Sequence, residues 1–265
     1  MIALVRARVA LLKHSDRALM TPATPDLPAV EQKIIELTNS ARSEQKLGEV
    51  HANAQLTTAA RAYAQYLASN NQFSHEADGR KASDRIGAAG YDWCTVGENL
   101  ASLLDSAGFQ TPDLARKSVE GWLNSPGHRQ NMLAPFVTEI GVGVVKAPDK
   151  NPKYIAVQLF ARPKSLAYAF QISNTTKETV TYTFNGETQA VEGHQGMQHE
   201  ACVPSPLVFD KIGLGRDARS VEARFEASDG LVYVLKPDKA KGLAVEIEPM
   251  RKLPPAPGDA ALSGR

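Results

Sequence analysis

Four short segments place chemically capable residues at positions that follow no helix or strand period. They are FSH, GENLA, WLNSPGHRQNML, and the pair IGVG and VQLF, and the first three contribute His75, Glu98 and His128. Two imidazoles and a carboxylate are three ligands of the kind that Zn²⁺ accepts, with a fourth position left for a water molecule. In the alternative, both histidines hydrogen-bond to Glu98 and join helices to a sheet without a metal. Zinc or another divalent metal is therefore a candidate cofactor, with His75 and His128 as its ligands.

The signatures of familiar enzymes do not occur in the chain. GxSxG, HExxH, the P-loop and GxGxxG are all absent from the sequence. We therefore expect a binding site rather than an enzyme. The alternative is a metal-dependent hydrolase that uses a zinc-bound water, with His75, Glu98 and His128 as its catalytic residues.

Length and charge limit the classes of partner. A chain of 265 residues is long enough for two domains, each with its own core. Lys and Arg total 30 against 29 Asp and Glu, without a basic run of the kind that binds nucleic acid. No apolar stretch approaches the roughly 20 residues of a membrane helix. We expect neither a nucleic-acid partner nor a membrane span.

The N-terminus and the two cysteines bear on export. The first thirteen residues are apolar, but Arg6 and Arg8 interrupt them, so they form no clear signal peptide. Cys94 and Cys202 have no CxxC spacing, and either a disulfide or two buried thiols is compatible with the sequence. Export would favour the disulfide.

The elements that must position these residues follow from the hydrophobic pattern. Val30, Ile34, Leu37 and Ala41 share one helix face. Further helices are predicted at 55–70 and at 128–133, the latter preceded by the start signal Ser125-Pro126. Another helix is predicted to begin with Thr111 as its N-cap, followed by Pro112. IGVGVV and YIAVQLF predict a hairpin, with Gly141 and Gly143 indicating close packing over its first strand.

The pattern of apolar and polar residues changes along the sequence and divides the chain into two predicted domains. Residues 29–163 form the first predicted domain, and residues 165–250 alternate as a small β-sandwich-like accessory domain with turns at Asn185-Gly186 and Asp229-Gly230. Residues 1–28 are predicted to be a flexible leader and residues 252–265 a disordered tail. The overall class is α+β, followed by a small all-β domain.

The joint order of FSH, GEN, SPGHRQNML and IGVG resembles the CAP superfamily (cysteine-rich secretory, antigen-five and pathogenesis-related-one proteins, also called SCP domains) in its cysteine-poor bacterial form. The resemblance covers about half of the chain. It implies an α-β-α sandwich with a mainly antiparallel central sheet and a cleft that gathers His75, Glu98 and His128. It also implies an extracellular or envelope location and an unknown protein, lipid or cell-wall ligand. A further interpretation assigns adhesion to the β domain.

One position departs from the pattern of many plant and animal members. They carry a second glutamate three residues after the motif tryptophan, whereas Ser125 stands there in this chain. Glu120 is a weak substitute because, on a helix, it lies about 200° around from Trp122. Ser125 is predicted to cap the short helix, and its hydroxyl to border the ligand cleft.

Overall fold

The computed structural model describes residues 22–212, 221–238 and 242–250. The first part of the chain contains α1 (Leu27–Glu44), β1 (His51–Ala52), α2 (Ala54–Asn70), α3 (Ala82–Ala88), β2 (Trp93–Leu104), α4 (Thr111–Leu123), α5 (Pro126–Met132), β3 (Glu139–Ala147) and β4 (Lys153–Pro163). A 3₁₀ turn at Lys164–Leu166 follows. The second part contains β5 (Tyr168–Asn174), β6 (Val180–Phe184), β7 (Glu187–Val191), β8 (Gly196–Ala201), β9 (Pro206–Ile212), β10 (Val221–Glu226), β11 (Leu231–Asp238) and β12 (Gly242–Pro249).

Local capping sets where the helices begin. Asp26 caps α1 by accepting from the Ala29 amide, and Asn53 caps α2 by accepting from two amides of its first turn. The N-cap of α4 is Gln110 rather than the predicted Thr111. The hydroxyl oxygen of Thr111 instead accepts a hydrogen bond from the Asp26 amide at 3.0 Å, which fixes the start of α1 against α4.

The first part is an α-β-α sandwich, as predicted. Its sheet has the order β1-β3-β4-β2, and all pairs are antiparallel except β1 with β3. Side chains of β4 alternate between the faces: Tyr154, Ala156 and Phe160 enter the core under α1 and α4, while Ile155, Val157 and Leu159 enter the core under α2. Both faces of the sheet are therefore covered by helices.

Two glycines allow α2 to lie directly on β3. A Cβ on Gly141 would stand 2.2 Å from the carbonyl carbon of Leu56, and one on Gly143 would stand 2.3 Å from the Arg61 amide. No side chain fits between this strand and the helix backbone. The close packing predicted from the two glycines is what the structure shows.

The second part is all-β, as predicted. Its two four-stranded sheets have the orders β10-β9-β6-β7 and β12-β11-β5-β8. Fully buried rings between them include Phe170, Tyr182, Phe209 and Tyr233. The β6–β7 hairpin turns at Asn185 and Gly186, which both have positive φ, as a two-residue turn of this kind requires.

A disulfide between Cys94 and Cys202 joins the two parts. Of the two states that the sequence left open for these cysteines, the structure has the bonded one. Cys94 lies at the beginning of β2, four residues before Glu98, and Cys202 directly follows β8. The bond therefore attaches the β part to the strand that carries the candidate site.

Three predictions concern the two ends of the chain and a membrane span. The predicted tail at 252–265 and most of the predicted leader lie outside the described residues. None of the helices within the described ranges combines the length and the apolar character needed to cross a membrane.

Candidate functional site

The site is built around the free edge of the sheet. Among the described strands, β2 is the outermost of this sheet and pairs only with β4, so its other side leaves backbone groups for side chains to contact. Successive side chains of β2 point to opposite faces: Leu100 enters the core under α2, and Ala101 the core under α1 and α4. By the same alternation Glu98 points to the α2 side and Asn99 to the opposite side. Each of them contacts the segment that carries one histidine.

Glu98 holds His75. His75 follows α2 in an irregular turn, and its Nδ1 lies 2.8 Å from Oε1 of Glu98. The Glu98 side chain is 5% exposed, whereas the His75 side chain is 56% exposed. A half-exposed imidazole is thus fixed by a buried carboxylate. Nδ1 is used in this contact, so Nε2 is the ring nitrogen left for a ligand.

Arg85 occupies the second oxygen of Glu98. Its Nη2 donates to Oε2 of Glu98 at 2.6 Å, and its Nη1 donates to Asp78 at 2.9 Å. Burial alone would raise the pKa of Asp78, but the hydrogen bond from the Arg80 amide and the positive charge of Arg85 hold it below its ordinary value. Both oxygens of Glu98 therefore have partners, one imidazole and one guanidinium.

Asn99 holds the segment of His128. Its side-chain amide donates to the carbonyl of His128 at 3.1 Å and to Gln158 at 3.0 Å. Gln158 in turn donates to the hydroxyl of Thr38, which donates to the carbonyl of Ile34. Gln158 is fully buried, and this chain of amides and hydroxyls satisfies it inside the core.

Two residues of the long motif cover the free edge of β2. Asn131 donates to the carbonyl of Glu98 at 3.0 Å, and the buried indole of Trp122 donates to the carbonyl of Leu100 at 2.9 Å. A Cβ on Gly97 would stand only 3.2 Å from the side chain of Asn131, so glycine at this position permits the approach. α4 and α5 are anchored to the strand by these two contacts.

His128 has a pKa below its ordinary value. Burial lowers this pKa, and the charge of His75 lowers it further. His128 is therefore favoured in its neutral form, which is the form that coordinates a metal. We call the four site residues expected from the sequence, His75, Glu98, Ser125 and His128, the cleft.

Ser125 departs from its predicted role, whereas Glu120 points away as expected. Ser125 is the N-cap residue of α5, but its side chain makes none of the predicted capping hydrogen bonds. Glu120 lies on the exposed face of α4 and pairs with Arg116 at 2.9 Å. It does not replace the missing acidic residue.

Within the described residues, no group of three or more His, Cys, Asp and Glu side chains is arranged to hold a metal ion. The three-ligand set considered from the sequence is not assembled, because Arg85 and His75 take up both oxygens of Glu98. Arg85 was not singled out in the sequence, where an arginine in KASDRIGAAG is typical of an exposed helix face. The two imidazoles stay as the predicted ligands.

Comparison with known proteins gives consistent matches for the first part of the chain. Residues 35–160 match the model of the cysteine-rich secretory protein family, CAP. The uncharacterized protein YkwD of Bacillus subtilis (strain 168) is 36% identical over 128 residues, which are 48% of this chain and 47% of that protein. The match thus spans about half the length of this relative.

Solved structures with a similar region include two bacterial proteins. An extracellular protein containing a SCP domain from Bacillus anthracis str. Ames is 30% identical with a TM-score of 0.44, covering 54% of this chain and 45% of that one. An outer surface protein from Borrelia burgdorferi is 24% identical with a TM-score of 0.45, covering 51% of this chain and 93% of that one. Residues 35–160 of this chain are thus similar to the cysteine-rich secretory protein (CAP) family.

Proposed function

We propose that this protein acts by binding in the extracellular space or the cell envelope, with the cleft as its ligand site. The location is supported by the disulfide between Cys94 and Cys202, because disulfides persist in oxidising compartments. It is also supported by the name of the family, which describes secreted proteins. The single observation that carries the proposal for the cleft is the pairing of half-exposed His75 with buried Glu98.

A divalent metal fits this donor set as an open site. Nε2 of His75 and a ring nitrogen of neutral His128 would be its protein ligands, and Glu98 would orient the His75 ring. Two protein ligands leave the other coordination positions to water or to donor atoms of a bound molecule. When bound, the metal would supply a positive charge that attracts a carboxylate, carbonyl or phosphate group.

The engagement of Glu98 favours binding over hydrolysis. A general base must be free to take a proton from the attacking water. Both oxygens of Glu98 already have hydrogen-bond partners, His75 at 2.8 Å and Arg85 at 2.6 Å. This arrangement supports a role in holding His75 and gives the hydrolase alternative no base at this position.

The test is calorimetric titration of Zn²⁺ into chelator-stripped protein. We expect one-to-one binding in the full chain and its loss in the double variant His75→Ala, His128→Ala. The matched control is the double variant His51→Ala, His194→Asn, which removes two exposed histidines outside the cleft. Asn is chosen for His194 because φ there is 58°, a left-handed value that Asn tolerates.

The controls decide the result. Circular dichroism first establishes that both double variants retain the wild-type fold. Binding that persists in the cleft variant, or that disappears equally in the control, would contradict a metal site at the cleft and direct the search to ligands held without a metal.

A further inference from the structure

A chain of alternating charges extends from the surface to His75. Arg80 pairs with Asp78 at 3.0 Å, Asp78 with Arg85 at 2.9 Å, and Arg85 with Glu98 at 2.6 Å. We call Arg80, Asp78, Arg85 and Glu98 the ionic chain. Its three inner side chains are only 4–6% exposed, whereas that of Arg80 is 55% exposed.

Arg85 has the largest number of contacts in the ionic chain. Besides the two carboxylates, its guanidinium donates to the carbonyls of His75 at 3.1 Å and Arg80 at 2.7 Å. Its central carbon lies 3.4 Å from the centroid of the Tyr63 ring, and the Tyr63 hydroxyl donates to the carbonyl of Ser74. One buried side chain thus fixes both the backbone of His75 and the carboxylate that contacts the His75 ring.

This geometry favours one tautomer of His75. Arg85 is always charged and donates to Oε2 of Glu98 at 2.6 Å, which favours the carboxylate over the acid. A carboxylate only accepts hydrogen bonds, so the arrangement favours a hydrogen on Nδ1 of His75, which lies 2.8 Å from Oε1. In a neutral imidazole the other nitrogen then has the free lone pair.

We propose that Arg85 is a positioning residue: it fixes the carboxylate of Glu98 against Nδ1 of His75, so that the ring keeps its proton on Nδ1 and its lone pair on Nε2. The consequence for ligand affinity rests on the proposed function of the cleft. The positioning does not, since it stands on the contacts among Arg85, Glu98 and His75 alone.

Lysine cannot take over this role. The guanidinium presents its donors in a planar fork, and here two nitrogens serve four acceptors at once. A lysine ammonium is a compact charge on a shorter reach and serves fewer of them. Arg85→Lys therefore keeps the charge and weakens the fixed contact to Oε2 of Glu98.

The experiment measures the ¹⁵N chemical shifts of the His75 ring in the full chain, without metal, at pH 8. In the wild type we expect a protonated Nδ1 and an unprotonated Nε2. In Arg85→Lys we expect a mixture of the two tautomers, together with a 10- to 100-fold weaker Zn²⁺ affinity, which is roughly the effect of removing an outer-shell partner.

Two control variants separate positioning from general stability. Arg42→Lys changes another fully buried arginine, which donates to backbone carbonyls of Gly48, Met132, Ala134 and Val137. Arg116→Lys changes an exposed arginine in a surface ion-pair group. Both should leave the His75 shifts as in the wild type, even where Arg42→Lys lowers the melting temperature.

The outcomes are distinct. A wild-type His75 with its proton on Nε2 overturns the proposal, and this measurement needs no variant to fold. Folded Arg85→Lys with unchanged His75 shifts overturns it as well, as does an equal change in Arg42→Lys. A wild type with the expected tautomer that binds no Zn²⁺ contradicts only the proposed metal site and supports the role of Arg85.

Discussion

Two histidines of this chain have pKa values lowered by burial, and their surroundings are opposite in character. His128 belongs to the cleft: its carbonyl accepts a hydrogen bond from Asn99, and the charge of His75 adds to the lowering of its pKa. His199 lies in the β part, where its ring stacks on Phe170 at 4.9 Å and its Nε2 is 2.8 Å from the Tyr182 hydroxyl. The first environment is made of amides and charges, and the second of aromatic rings.

The difference teaches what each region can do. Around the cleft, buried polar groups are connected to one another, so the half-exposed His75 keeps a fixed geometry while it faces solvent. Around His199, burial raises the pKa of Tyr182 to about 12, so its hydroxyl stays neutral and contributes no charge. In the proposed function the cleft presents polar atoms to a ligand, whereas the aromatic rings around His199 hold a neutral histidine as part of their packing.

Removing the central arginine of the ionic chain should have the largest effect on stability. In Arg85→Met two buried carboxylates, Asp78 and Glu98, lose their main cation. Removing one partner of a buried pair costs about 3–5 kcal/mol, because an uncompensated charge stays in the interior. We expect a decrease of that size in the free energy of unfolding, measured by urea titration with fluorescence of Trp93 and Trp122, both in the first part of the chain.

The matched change is Arg116→Met on the exposed face of α4. Arg116 and its partners Asp113 and Glu120 are about half-exposed, and exposed ion pairs contribute about 0–1 kcal/mol. A loss in Arg85→Met no greater than that in Arg116→Met would mean that the ionic chain is not the stabilising feature of the cleft.

Burial of His199 among aromatic rings should make the stability of the β part depend on pH. Burial lowers the pKa of His199 in the folded protein, so below the ordinary histidine value of about 6.5 the unfolded chain binds a proton more readily. Stability of the β part should therefore fall as the pH decreases from 7 toward 5. His199→Phe should remove part of this decrease, up to about 1.4 kcal/mol per pH unit within that window.

The measurement uses the full chain and follows near-ultraviolet circular dichroism of tyrosine during denaturation at several pH values. Glu187 and Glu200 line the same cavity as His199, so their effect on the pH dependence has to be separated from that of His199. Glu200→Gln is the control, since this residue is exposed and pairs with Lys164. A slope against pH that is equal in the wild type and His199→Phe would assign the acid sensitivity to other groups.

The sequence predicted the parts of the fold whose pattern follows from one buried face. The helix face of Val30 and Ile34 and the strands β3 and β4 lie at the predicted places because their periods reflect simple burial. β2 was not predicted as a strand, since it buries Glu98 and Asn99 on opposite faces and so lacks the usual alternation.

The candidate residues were found from motifs, but their partners were not. Arg85 and Gln158 are polar residues whose burial depends on acceptors and donors that lie far away in the sequence, such as Glu98 and Thr38. No local spacing signals such a contact. The signal for Gly141 and Gly143 was stronger, because two glycines within one strand indicate that a backbone approaches it closely.

The smallest effect on the free energy of unfolding is expected at Ser125. Ser125 is an N-cap residue without a capping hydrogen bond from its side chain, so Ser125→Ala should change the free energy of unfolding by less than about 0.5 kcal/mol. Asn53→Ala is the comparison, because Oδ1 of Asn53 accepts from the amides of Gln55 and Leu56, and loss of such a cap costs about 1 kcal/mol. Urea titration of the two variants ranks them directly. Equal losses would show that the Ser125 hydroxyl caps α5 in solution, and the cleft would then have one polar group fewer to offer a ligand.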